Sequence, residues 1–145
     1  MQVTLRQLIH EYEHENRPHV SGPEDIAREA AFISECSKEC FVVFYLDCKK
    51  KMLAREIVSV GIIDASLIHP REVFRSAVHI NAHTIILCHN HPSGNTEFSS
   101  ADIDVTKLLI QAGEILGIGV VDHVLVAGTN WANMRREHPE YFQGA

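Results

Sequence analysis

The chain has no C-x-x-C pair. Cys36, Cys40, Cys48 and Cys88 also match no zinc-knuckle spacing, so the expectation is four reduced thiols, buried or half-buried. Long apolar runs are missing: none approaches the roughly 20 residues needed to span a bilayer, and no membrane partner is expected. Positive charge is scarce, with 13 Lys and Arg against 19 Asp and Glu, for a net −6. The basic footprint of a free-standing nucleic-acid binder is therefore absent. The one basic run, Lys49-Lys50-Lys51, reads as a solvated hairpin tip. The first residues show no basic n-region, apolar h-region or small-residue cleavage site, so no secretory signal is read and a cytoplasmic location is the expectation. There is no internal repeat and no low-complexity tract.

What remains is an ordinary globular composition: 145 residues, 46% hydrophobic and 22% charged. That length fits one domain, and it buries enough surface to fold without disulfides or a structural metal. The ten histidines stand out, because histidine is both the commonest metal ligand and the side chain that titrates near neutrality.

Patterning gives the elements. Val3, Leu5, Leu8, Ile9 and Tyr12 fall at helical spacing over residues 3–15, which predicts an N-terminal helical arm within residues 1–20. Ser21 stands three before Glu24, a capping-box spacing that predicts a helix running to about Ser37. Phe41–Leu46 is a dense β-branched and aromatic run, hence a strand buried on both faces. Asp47–Lys50 turns the chain, and Leu53–Val60 returns as the second arm of a hairpin. Ser66–Ile68 reads as a short extended piece. Pro70 opens a helix to about Asn81, Thr84–His89 is a strand, and Asn90–Phe98 a loop. A long helix runs from Ser99 to Gly117. Val120–Ala127 and a short segment from Trp131 complete the strands. The fold class is α/β (α+β), a mixed sheet flanked by helices, in a single domain over residues 21–138. Residues 139–145 are read as a tail outside it, their Tyr-Phe-Gln-Gly partly resembling a protease-tag remnant.

Two motifs compete for a metal. His10-Glu11-Tyr12-Glu13-His14 is a literal H-E-x-x-H, which on a helix sets two imidazoles one turn apart beside a carboxylate base. Its apolar face is thin and no strand precedes it, so an exposed polar helix face is favoured. The second motif is His89-Asn90-His91-Pro92, six residues, then Ser99-x-x-Asp102. His89 and His91 project from one face of a strand end, Pro92 stops the strand, and the next helix start can present Asp102. Two imidazoles and a carboxylate suit a catalytic zinc, with the fourth position left to water. Ser99 is also placed to cap the helix.

This second string resembles the signature of the JAMM (JAB/MPN) metallopeptidases, and specifically the RadC branch. His69-Pro70-Arg71-Glu72-Val73, Ala112-Gly113-Glu114-Ile115-Leu116-Gly117-Ile118 and Asp122-His123 extend the likeness over about residues 40–130. The resemblance implies a JAB/MPN, cytidine-deaminase-like architecture and one Zn2+ held by His89, His91 and Asp102. It also implies Ser99 as the site serine and an upstream strand glutamate as general base. Glu56 is the best match for that base. Independently, it lies on the otherwise apolar stripe Ala54, Glu56, Val58 and Val60, where a carboxylate is costly without a partner. Glu72 and Glu97 are its rivals. Asp122-His123 is either a pair orienting a ligand or a hydrogen-bonded strand-end histidine.

The implied activity is zinc-dependent hydrolysis of an amide or isopeptide bond in an unidentified protein or peptide. The alternative is a non-catalytic or DNA-repair-associated RadC-like interaction module, for which Lys49–Lys51 is the only electrostatic support. The helix-hairpin-helix region of longer RadC-like proteins is not recognisable in the roughly 40 residues before the first strand, which weakens the expectation of DNA binding.

Overall fold

A computed structural model describes residues 9–143. The mixed sheet and flanking helices are those expected. Its strands are β1 (Ile9–Glu11), β2 (Cys40–Leu46), β3 (Met52–Val60), β4 (Thr84–Asn90), β5 (Gly119–Ala127) and β6 (Asn130–Asn133). They form one sheet in the order β1-β3-β2-β4-β5-β6. All neighbours are antiparallel except β4 and β5. That parallel pair needs a crossover, supplied by the long helix α3 (Ser100–Leu116). The other helices are α1 (Pro23–Glu29), α2 (Pro70–His79) and α4 (Met134–Glu137).

All of β2 is buried, as a central strand with helices over both faces must be. Phe41, Val43 and Tyr45 enter a core shared with α2 and α3 through Val73, Phe74, Val105 and Leu109. Val42, Phe44 and Leu46 enter the opposite core with Ile26 and Ile33. Cys88 lies in that second core, pointing away from His89 as the strand alternation predicts. Gly113 stands where α3 meets the start of β5: an added Cβ there would lie 2.3 Å from the Ile118 carbonyl oxygen.

Four expectations need correction. The N-terminal arm holds no α-helix where it is described, only a 3-10 turn at His14–Asn16; Ile9–Glu11 pairs antiparallel with Ala54–Glu56, and residues 3–8 lie outside the described residues. Apolar residues at short intervals fit a strand as well as a helix, and the open edge of β3 offers the backbone partners that decide it. The helix expected to reach Ser37 stops at Glu29, followed by a single 3-10 turn at Ala31–Ile33. Its start is held by Asp25, whose carboxylate accepts from the amides of Ser21 and Gly22 at 2.7 and 3.4 Å, so the Ser21–Glu24 pairing is not the cap. Ser66–Ile68 is a turn closed on Asp64, which accepts from the amides of Ser66 and Leu67 at 2.8 and 3.0 Å. Finally, residues 139–142 are no loose tail: Pro139–Phe142 forms a 3-10 turn, and Phe142 is 2% exposed within the α2–α3 core.

Because Phe142 is a core aromatic, Phe142→Ala is expected to destabilise the fold by about 3–5 kcal/mol. The shift of the urea unfolding midpoint measures this; an unchanged midpoint would show that the C-terminal segment carries no packing.

Candidate metal centre

The centre lies where β4 ends and α3 begins. Strand alternation sends His89 and His91 to one face and Asn90 to the other. His89 and Asp102 are buried, at 0% and 2% exposure, while His91 lies half-open at the rim. The Nε2 atoms of the two imidazoles are 3.0 Å apart. Asp102 Oδ2 stands 3.2 Å from each of them. Ligand atoms around a tetrahedral zinc with bonds of about 2.0–2.1 Å lie roughly 3.3–3.4 Å apart, so this triangle is close to one face of such a tetrahedron.

The helix start fixes Asp102. Ser99 caps α3: its Oγ accepts from the Asp102 amide at 3.1 Å, and Asp102 Oδ2 accepts from the Ser99 amide at 2.8 Å. This is a reciprocal capping box with aspartate at its third helical position. Burial alone would raise the Asp102 pKa. The neighbouring His89 imidazole and the Ser99 amide outweigh it and hold the carboxyl well below the usual carboxylate range. His91 Nδ1 lies 2.9 Å from the Asn95 carbonyl oxygen. A carbonyl accepts only, so Nδ1 carries the hydrogen and Nε2 turns a lone pair inward.

A second carboxylate, Glu39, stands near the imidazoles. Its ligand atom lies with those of His89 and His91 in a group spanning no more than 4.8 Å, and its Oε1 is 3.7 Å from His91 Nε2. The His89–His91–Asp102 triangle, at 3.0–3.2 Å, is the tighter set. Glu39 stands farther off, at the open side. Its backbone is pinned by two neighbours. The Gly61 amide donates to the Glu39 carbonyl at 2.7 Å. Asn90, fully buried, accepts from the Cys40 amide at 2.6 Å and donates to the Lys38 carbonyl at 3.1 Å. The residue between the two histidines thus holds the segment that carries the carboxylate.

Glu56 is elsewhere. It is 2% exposed, and its Oε2 accepts from the Tyr45 hydroxyl at 2.7 Å. Burial, with Glu56 second, raises the Tyr45 hydroxyl and keeps it a donor. Phe41 pairs with His89, and Tyr45 lies four residues along β2, about 13 Å at 3.3 Å per residue. Glu56 itself pairs with Val43, two residues along β2 from Phe41, and its carboxylate is held on the Tyr45 hydroxyl. Sequence reasoning passed over Glu39 because it precedes the strand; the signal was the antiparallel register, which carries Glu39 opposite His91 once Phe41 faces His89.

The other candidates fall outside the cluster. Glu72 is exposed on α2, and Asp104, His79 and His83 are exposed too. Glu97 lies on the rim of an open cleft of about 400 Å³ that Glu39, His91 and Ser99 also line. His10 sits on β1 and His14 in a 3-10 turn, both exposed, so H-E-x-x-H lacks the helix it needs. Asp122 and His123 do not act as a pair. Asp122 turns to the amides of His123 and Arg135 and the Asn133 side chain. The His123 ring instead reaches His89, with Nε2 2.7 Å from Nδ1. Burial, then the charge of His89, lowers His123 well below an ordinary histidine.

The RadC-like JAB domain profile matches residues 20–139. The chain belongs to the RadC-like JAB domain family. Among its RadC-like relatives, a UPF0758 protein of Finegoldia magna is 45% identical over 104 residues, covering 72% of this chain and 47% of that one. A UPF0758 protein of Methanosarcina mazei is 36% identical over 134 residues, covering 92% and 58%. This RadC-like chain spans about half the length of the first of these relatives. Among the described residues no helix is long and apolar enough to cross a membrane.

Asn90→Ala would leave the Cys40 amide and the Lys38 carbonyl without their buried partner. A loss of about 1–3 kcal/mol is expected, read by chemical denaturation, together with faster hydrogen exchange at the Cys40 amide. Unchanged exchange there would show that Asn90 does not hold the Glu39 segment.

Proposed function

We propose that this chain is a zinc-dependent hydrolase of the JAMM type, cleaving an amide or isopeptide bond in a protein or peptide. The observation that supports this reading best is the buried triangle of His89 Nε2, His91 Nε2 and Asp102 Oδ2 at 3.0–3.2 Å. It stands beside a free carboxylate at the mouth of an open cleft. Such a set fits one divalent cation with a position left over. What zinc supplies when bound is Lewis acidity, which acidifies water and polarises a carbonyl.

The chain's own residues divide the remaining work. His89, His91 and Asp102 are the ligands. Glu39, rather than Glu56, is the general base: Oε1 takes a proton from the attacking water and returns it to the departing amine. The Ser99 hydroxyl is engaged by the Asp102 amide only as an acceptor, so its hydrogen is free to donate to the developing oxyanion. The interaction-module alternative draws nothing from this geometry, since Lys49–Lys51 lies at the hairpin tip, at the opposite end of β2 from the centre.

Metal analysis and turnover of a peptide library together test the reading. The wild type is expected to carry about one zinc per chain, and His89→Ala or Asp102→Ala to lose it. Glu39→Gln is expected to keep the zinc and lose roughly 10²–10⁴-fold in turnover, and Ser99→Ala about 10²–10³-fold. Equal zinc in wild type and His89→Ala would sink the centre. Full turnover in Glu39→Gln with loss in Glu56→Gln would return the base to β3.

A further inference from the structure

Behind His89 runs a chain of buried polar groups that the hydrolytic scheme does not use. His89 Nδ1 meets His123 Nε2 at 2.7 Å. His123 Nδ1 meets Thr106 Oγ1 at 2.6 Å. Thr106 Oγ1 meets the backbone carbonyl of Asp102 at 2.7 Å. His89, His123 and Thr106 are each 0% exposed. Phe41 and Phe98 pack edge-on against the His123 ring at centroid distances of 5.8 and 5.5 Å, so apolar walls close the chain off from water.

The hydrogens in this chain can be placed by counting. A carbonyl has no hydrogen to give, so the Thr106 hydroxyl spends its only one on the Asp102 oxygen. Thr106 Oγ1 must then accept, and His123 Nδ1 must be the N–H that donates to it. A neutral imidazole has one N–H, so His123 Nε2 carries a lone pair and accepts. His89 Nδ1 is therefore the donor, and His89 Nε2 is left bare toward the centre. The reverse order would put a hydrogen on His89 Nε2, where no cation could bind.

We propose that Thr106 and His123 are positioning residues that set the tautomer of His89, so that its Nε2 lone pair is already directed at the cation site before any ion arrives. The proposal rests on the reading of His89 as a ligand. It goes beyond it in giving a role to Thr106, a helix residue that touches no ligand atom. The device starts and ends on ligands: the hydroxyl that orders His89 is itself anchored on the backbone of Asp102, one turn back along α3. The two ligands are thereby held in register with each other through a single side chain. Asn95 does for His91 with one carbonyl what Asp102, Thr106 and His123 do together for His89.

Ring-nitrogen NMR of the metal-free protein reads the tautomer directly. The wild type is expected to show His89 protonated at Nδ1 and bare at Nε2. Thr106→Val, which keeps the shape and removes the hydroxyl, is expected to shift His89 toward a mixture. It should also weaken zinc binding, measured by competition with a chelator, by about 10–100-fold. Thr106→Ser restores the hydroxyl and is expected to return both readouts to near the wild type. His89 protonated at Nε2 in the wild type overturns the proposal, as does a zinc affinity in Thr106→Val equal to that of the wild type. Failure of the wild type to bind zinc would strike the proposed function instead, and the metal-free spectrum would still judge the tautomer.

Discussion

The structure is organised around one electrostatic problem: three lone-pair atoms face one another at hydrogen-bond distance inside a protein interior. Two imidazole nitrogens and a carboxylate oxygen stand 3.0–3.2 Å apart, with His89 and Asp102 closed off from solvent. Lone pairs crowded together in a buried site are costly; the Ser99 amide serves Asp102 Oδ2, and a cation held as proposed would serve all three. Everything nearby serves to hold them there. The parallel β4–α3–β5 crossover brings the end of β4 and the start of α3 together. The Ser99 box fixes the carboxylate, and carbonyls behind the two histidines keep their inward nitrogens bare.

The proposed ligand set was legible because it is local. His89, His91 and Asp102 fall within fourteen residues of chain, on a strand end, a proline-stiffened loop and a helix start, each with its own sequence mark. The strands and α3 were legible for similar reasons: a β-branched run for β2, a serine cap and a left-handed Gly117 for α3. Glu39 was not, because its place depends on how β2 pairs with β4, a register set by tertiary packing. Glu56 had a suitable apolar stripe around it, but the partner that makes its burial tolerable is the Tyr45 hydroxyl and not an ion. The N-terminal segment misled through short-range periodicity, which an available strand edge overrode. Phe142 misled because a motif of borrowed appearance hid a core aromatic.

Asn90 shows how little sequence the arrangement uses. Three consecutive residues at the end of β4 and just past it serve both faces of the sheet. The outer two are the proposed ligands on one side, and the middle one ties down the Glu39 segment from the other. The two histidines and Glu39 therefore sit at the paired ends of adjacent strands, and the start of α3 brings Asp102 to them.

That alternation has a consequence for folding. A slip of β4 by a single residue against its neighbours would exchange the faces, sending both imidazoles into the aliphatic layer beside α1 and leaving an amide where the lone pairs should meet. Mispaired chains of that kind would have nothing to offer an ion, whereas correctly paired ones would be drawn off by binding it. A divalent cation in the surroundings would thus act as a proofreader of strand alignment, rewarding the one pairing in which the chemistry is possible.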